Sequence, residues 1–251
     1  MENTIITNQT EKNKKHSKKK ILKRVIIAVA ILLVLVFTGI GIVYWTTVGY
    51  PAKLKKAEKR IEHFQSVGFE KEQILLCGSS FIQYWTSSEN DLAPLTTYNV
   101  GVEATVVSDW KKWIDLLILP FNPRAILLYV GSNDMHGSIG SKKGTVVADE
   151  VKELLTSIHE KLPQTIIYYV SIAPTIAREK VWDESSACNS EVSAYSKTRE
   201  YLRFIDCTQA LLNSDGSLKK EIYAKDNLHF NDAGYAIWKS VIAPILLDEL
   251  A

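Results

Sequence analysis

Three short segments of this 251-residue chain carry side chains that together could run acyl-transfer chemistry. Near the C-terminus, Asp226 precedes His229 by three residues in Asp226-Asn227-Leu228-His229-Phe230. A carboxylate there can accept the Nδ1 proton of the imidazole, fix its tautomer and leave Nε2 as a base. Upstream, Gly78-Ser79-Ser80 ends an apolar run and could present a serine hydroxyl as nucleophile. Between them, Gly131-Ser132-Asn133-Asp134 ends a second apolar run, where an Asn amide can donate to a developing oxyanion. Each segment also has a plainer reading. Asp-x-x-His occurs as a surface pair, Gly-Ser-Ser suits a helix N-cap, and Gly-Ser-Asn-Asp is turn composition. The order Ser, Asn, Asp-x-x-His, each at the end of an apolar run or in a nearby loop, is what favours chemistry. His16, His63, His136 and His159 have no Asp at that spacing. His16 and His159 read as solvated, and His136 could line a pocket near Asn133.

These groups need a scaffold that brings them to one edge. Five short apolar runs read as strands: Ile74–Cys77, Thr97–Val100, Ala125–Val130, Thr165–Ser171 and Tyr201–Asp206. Helical patterns alternate with them at Val107–Leu119 (closed by Pro120), Val146–Leu162, Ser186–Lys197 and Asp232–Leu250. Strands this apolar, separated by helices, predict a mostly parallel five-stranded sheet covered on both faces. Ligands of such sheets bind at the carboxyl ends of the strands, and all three segments fall there or in the loops nearby.

The N-terminal part is of another kind. Residues 1–24 hold eight Lys/Arg against Glu2 and Glu11, a surplus of six; the chain's net +2 leaves −4 for the rest. The basic character therefore belongs to the tail and argues for no nucleic-acid partner. Val25–Trp45 carries no charge. Twenty helical residues span roughly 30 Å of hydrocarbon, so the segment predicts a transmembrane helix in contact with the bilayer, with Tyr44 and Trp45 at an interface. It is longer than a signal-peptide core and no small-x-small cleavage site follows. The basic flank predicts a cytoplasmic N-terminus and an extracytoplasmic domain, although Lys53, Lys55, Lys56, Lys59 and Arg60 make the other flank basic too. The expected organisation is a tail over 1–24, the membrane helix over 25–45, a stalk or first helix over 46–69 with Leu54, Ala57, Ile61 and Phe64 on one side, and a catalytic domain over 70–251. Cys77, Cys188 and Cys207 show no metal spacing; Cys77 reads as a buried small hydrophobe, and pairing of the other two stays open. No metal site, phosphate loop or internal repeat is evident, and no cofactor is expected.

The three segments together resemble the SGNH hydrolases, the GDSL-type esterases and lipases, over about residues 70–251. Gly78-Ser79-Ser80 corresponds to the family's first block and makes Ser80 the nucleophile, with Ser79 where Asp is usual. Gly131-Ser132-Asn133-Asp134 matches the Gly-x-Asn-Asp block, and Asp226-Asn227-Leu228-His229 the Asp-x-x-His block. The second block departs: its usual Gly, counted from Asn99, falls on Ala104, or on Gly101 if the register is shifted, with Glu103 unusually close by. The resemblance implies a three-layer α/β/α sandwich of the flavodoxin-like kind. It implies catalysis by Ser80, Asp226 and His229, and an oxyanion hole from the Ser80 and Ala104 N–H groups with Asn133. The expected activity is hydrolysis of a carboxylic ester, a glycan O-acetyl group or a lipid ester. The alternatives are an O-acyltransferase using the same site and a non-catalytic surface-binding protein on the same fold. The stretch from Ala173 to Asn189, with Arg178 and Trp182, is a pocket wall by position, or equally a plain surface loop.

Overall fold

The computed structural model describes residues 20, 23–24, 26–41 and 43–251. Most of the basic tail, Val25, Ile42 and the side chain of Trp45 lie outside the described residues, so the expected membrane span is described only in part. Residues 26–41 are helical with their large apolar side chains exposed. Among the described residues no helix is long and apolar enough to cross a membrane. The chain divides into two compact units, 1–52 and 53–251.

The larger unit is built on five parallel strands: β1 (Ile74–Gly78), β2 (Thr97–Asn99), β3 (Ala125–Tyr129), β4 (Ile166–Val170) and β5 (Leu202–Ile205). Their order is β2-β1-β3-β4-β5. The chain therefore reverses direction across the sheet between β1 and β3, which places a crevice at the carboxyl ends of these two strands. The strands match the apolar runs of the sequence to within a residue or two at each end.

Alternation along the strands divides the core into two layers. Ile74, Leu76, Leu127, Tyr129, Tyr168 and Val170 belong to a cluster with Phe81, Trp85, Trp238, Ile242 and Leu246. The last three lie on the closing helix, labelled α6 below. The opposite face is covered by α4 (Gly144–Lys161) and α5 (Trp182–Ser196), which pack together. Burying side chains of this size contributes about 1.5–3 kcal/mol each, and the large aromatics more, which is why this sheet needs cover on both sides.

The first helix, α1 (Tyr50–Val67), buries Ala57 and Ile61 and half-buries Leu54 and Phe64, the expected stripe. Phe64 meets Tyr98 of β2 and Phe121 edge-on, so within 53–251 this helix is part of the packed domain rather than a free stalk. Two helices depart from the sequence expectation. The α-helix α3 stops at Trp113 (Val107–Trp113) and continues as a π turn over Ile114–Ile118 and a 3-10 turn over Leu119–Phe121. Pro120 sits at the start of that last turn, where its missing N–H would have had no partner, so it does not end the helix where expected. The helix expected from Ser186 begins at Trp182, because Asp183 and Glu184 suit the positive end of a helix dipole better than an N-cap serine four residues later.

The closing helix α6 (Asp232–Leu250) has the expected bounds. Asn231 caps it, its Oδ1 accepting from the N–H groups of Ala233 and Gly234 at 2.9 and 3.2 Å. The three cysteines are free and buried, so Cys188 and Cys207 do not pair. Burial raises all three thiols, Cys188 to about 12.

Candidate active site

The nucleophile position grows out of β1. Gly78 ends the strand with φ +151°, and a Cβ there would lie 2.2 Å from the Tyr129 carbonyl oxygen of β3, so only glycine lets the strands close up at this point. The chain then turns into the four-residue α2 (Ser80–Gln83). Ser79, not Ser80, occupies the cap position, and its side chain makes no capping bond. Ser80 is the first residue of the turn and is 7% exposed. The cap reading of Ser80 therefore does not hold.

The segment after Tyr223 delivers the other two groups. Ala224 N–H donates to His229 O at 2.7 Å, and Asn227 N–H to Ala224 O at 2.9 Å, closing a tight loop. Asn227 supplies the left-handed residue (φ +57°) that Asn tolerates. Asp226 Oδ1 accepts the backbone N–H groups of Leu228 and His229, each at 3.0 Å, and its Oδ2 lies 2.6 Å from His229 Nδ1. A carboxylate only accepts, so the imidazole proton sits on Nδ1 and Nε2 is left as acceptor. Nε2 lies 2.8 Å from Ser80 Oγ. Partial burial raises the Asp226 carboxyl, but the His229 side chain and the two backbone donors outweigh it and hold the pKa down to about 2. Phe81 and Tyr84 stand against the imidazole at ring-centre distances of 5.7 and 4.9 Å and hold its plane.

Asn133 follows β3. Its Nδ2 donates to the Thr105 carbonyl at 2.9 Å, and its Oδ1 accepts from Arg178 Nη2 at 2.6 Å, so the two partners fix which end of the amide faces which way. One amide hydrogen stays uncommitted among the described residues. The loop after β2 and the loop after β3 are fastened twice, by this bond and by Asp134 Oδ2 accepting the Val107 N–H at 3.1 Å. Asp134 is buried; burial raises its carboxyl against the pull of Lys142, whose Nζ lies 3.0 Å away and also binds Glu150. It is thus a structural member of its motif.

The hydrogen bonds distinguish Ala104 from Gly101. Gly101 N–H donates to Asn99 Oδ1 at 3.0 Å, and a Cβ at Gly101 would lie 2.4 Å from Gln83 N, so this glycine serves close packing. The N–H groups of Ala104 and Ser80 have no acceptor among the described residues. Ala104 holds φ +60°, a conformation that favours glycine, where this chain has a methyl group. Glu103 is held by two partners, one of which, Tyr84, stands against the His229 ring. Its carboxylate pairs with Lys56 at 2.8 Å and accepts the Tyr84 hydroxyl, and those two bonds lower it against a smaller effect of burial.

Of the positions singled out by sequence, Ser80, Asp226 and His229 form one continuous chain of hydrogen bonds, and Asn133 is fixed in the loop after β3, next to β1. His136 is exposed and its Nδ1 lies 2.6 Å from Ser138 Oγ. His159 is half-buried and stacks on Tyr201 at 3.8 Å, not solvated as its helix position suggested. The partnership of Arg178 with Ser132 and Asn133, and that of Tyr84 with Glu103, had no signal in the sequence, because each joins segments far apart in the chain. Beyond Arg178, Pro174–Ile176, Glu179, Trp182 and Asp183 wall a cavity of about 450 Å³ together with the Leu212–Lys220 segment. Among the described residues no group of acidic, His and Cys side chains could hold a metal ion.

Residues 77–237 match the family described as GDSL-like Lipase/Acylhydrolase. An N-acylneuraminate cytidylyltransferase of Escherichia coli O18:K1:H7 is 28% identical over 193 residues, which is 75% of this chain and 42% of that protein. The chain thus spans less than half the length of that curated relative. A Streptococcus pneumonia protein provisionally described as a platelet activating factor shares the fold with a TM-score of 0.68 at 20% identity, over 83% of this chain and 98% of that one. A carbohydrate esterase family 3 protein from Talaromyces cellulolyticus does so with a TM-score of 0.52 at 15% identity, over 72% and 97%. With the family matched over most of the folded unit, the chain belongs to the GDSL-like lipase/acylhydrolases.

Proposed function

We propose that this chain is a membrane-anchored, extracytoplasmic serine esterase that removes acetyl groups from surface glycans through an acyl-enzyme. The observation that carries the catalytic part is the unbroken line from Ser80 Oγ to His229 Nε2 (2.8 Å) and from His229 Nδ1 to Asp226 Oδ2 (2.6 Å). His229 takes the Ser80 proton on Nε2 as Oγ bonds to the ester carbonyl carbon. Asp226, still a carboxylate, stabilises the imidazolium. The negative charge on the former carbonyl oxygen is met by the free N–H groups of Ser80 and Ala104 and the Asn133 amide. Collapse breaks the ester C–O bond, and the leaving alkoxide takes the proton from Nε2. Water repeats the sequence against the acyl-serine, His229 taking its proton, and releases acetate and free Ser80.

The glycan reading draws on the cavity walled by the residues that flank Arg178 in sequence. Trp182, Glu179, Asp183 and Lys220 line it, and the three charged side chains form no ion pair among the described residues. An indole face with uncommitted acceptors and a donor is the complement of a sugar ring. The carbohydrate esterase with this fold and the relative named for N-acylneuraminate point the same way. The membrane reading draws on the uncharged run Val25–Trp45 behind eight cations, and on the exposed apolar side chains of 26–41.

The test is release of acetate from O-acetylated oligosaccharides by the full chain in detergent, beside Ser80→Ala and Trp182→Ala. The proposal expects Ser80→Ala to abolish release, and Trp182→Ala to raise KM for the oligosaccharide while leaving p-nitrophenyl acetate unchanged. Preference for long acyl chains over acetyl would contradict the glycan reading. Protection of the C-terminal domain from external protease on intact cells would contradict the topology.

A further inference from the structure

We propose that Arg178 is a positioning residue for the oxyanion hole, holding the Asn133 amide from behind and lending it positive charge. The inference rests on the esterase reading, and deepens it at one residue. Arg178 Nη2 donates to Asn133 Oδ1 at 2.6 Å and Nη1 to the Ser132 carbonyl at 2.7 Å. The guanidinium fork thus grips two successive residues of the loop that ends β3, a geometry that lysine cannot reproduce.

Arg178 forms no ion pair with a carboxylate among the described residues. It is half-buried, and burial lowers its pKa, yet arginine stays charged in proteins. A buried cation without a counter-charge is costly unless something in the working cycle answers it. The charge that answers it is the oxyanion. Donation into Oδ1 also polarises the amide, so the uncommitted N–H becomes a better donor. The backbone ties Arg178 to the rest of the machine: Ala177 N–H donates to the Asn227 carbonyl at 2.9 Å, within the loop that carries Asp226 and His229. One short segment therefore touches both the loop that carries the base and the proposed oxyanion donor, and its neighbours Ile176 and Glu179 wall the proposed sugar cavity.

The experiment is a double-variant cycle on the full chain in detergent, with Arg178→Ala, Asn133→Ala and both together. Arg178→Ala is expected to lower kcat by about 10–100-fold with KM changed less than about threefold, because the lost interaction strengthens in the transition state. In the Asn133→Ala background the same change is expected to cost less than about threefold, since Arg178 acts through Asn133. Arg178→Lys is expected to recover only part of the rate, and added guanidinium to restore part of the loss in Arg178→Ala. A readout independent of turnover is the Asn133 side-chain amide pair in ¹⁵N NMR, assigned by its disappearance in Asn133→Ala. It is expected to shift in Arg178→Ala. Losses that multiply in the double variant, a change in KM alone, or an unmoved Asn133 amide would overturn the proposal. If wild type does not turn over at all, the esterase reading fails separately, and the amide resonance still decides the role of Arg178.

Discussion

At the scale of single residues, the proposed mechanism divides the site into groups that react, groups that hold charge and groups that hold those. Asn133 belongs to the second class. Its replacement by Ala removes one oxyanion donor and is expected to lower kcat by about 10²–10³ with little change in KM, checked by steady-state kinetics on an activated acetyl ester. Asp226→Asn leaves a side chain of the same shape that can place the wrong tautomer on His229; a loss of about 10⁴ in kcat, as in the protease triad, is the expected outcome. Asp226 also makes a pH prediction. Its folded pKa, about 2, lies below the ordinary carboxylate range. Its contribution to stability is therefore full above about pH 4 and is lost as pH falls toward 2. Half the side chain is exposed, so this contribution is small. Protonation of Asp226 therefore costs no stability between pH 7 and about pH 4. Denaturant titration across that range checks this; a loss of stability there that is absent in Asp226→Asn would contradict it.

Ala104 joins the residue and element scales. Its left-handed backbone carries a methyl group at a cost of about 1–2 kcal/mol, partly offset in a glycine variant by a floppier unfolded chain. Ala104→Gly is expected to be neutral to stabilising by up to ~1 kcal/mol and to retain activity, since only the N–H is used. Denaturant titration with parallel kinetics measures both. At the next scale, the loop carrying Asp226 and His229 is held against α6 by Asn231. Its side chain caps the helix and donates to the carbonyls of Glu221 and Tyr223 at 2.7 and 3.2 Å. Asn231→Ala is expected to cost about 1–2 kcal/mol, and to lower kcat as well, because the same side chain sets the position of His229. An equal loss of stability with unchanged kcat would separate the cap from the site.

The element scale also shows what could be read in the chain. Strands were legible because a parallel strand covered on both faces must be apolar throughout, and Ile74–Gly78 or Ala125–Tyr129 can be little else. Ser80 and Asn133 were legible as positions because each lies just past an apolar strand and its closing glycine, and Asp226 and His229 because their spacing is local. The finish of α3 was not, since no residue type in Ile114–Ile118 marks a π turn. Arg178 was legible only as a position. Its reach to Asn133 depends on how the segment after β4 folds back over the end of β3, a long-range fact that no local pattern encodes.

At the scale of the whole molecule, the sheet order does the assembling. Only because β3 lies beside β1 do Gly78-Ser79-Ser80 and Gly131-Ser132-Asn133 become neighbours, and α6 then carries the His229 loop back to the same edge. Trp238 of α6 is fully buried against Phe81, Trp85, Tyr129 and Phe230. Trp238→Ala is expected to cost about 3–5 kcal/mol and to loosen Phe81 and the His229 loop together, measurable as a lowered Tm with disproportionate loss of activity. The central claim is that Ser80 is a nucleophile activated by His229. Its most direct test is covalent labelling by a fluorophosphonate alongside turnover of p-nitrophenyl acetate, in wild type and Ser80→Ala. The account predicts one label per chain on Ser80 and turnover in wild type, with both absent in the variant; a folded wild type that neither labels nor turns over, or a variant that keeps both, would contradict it.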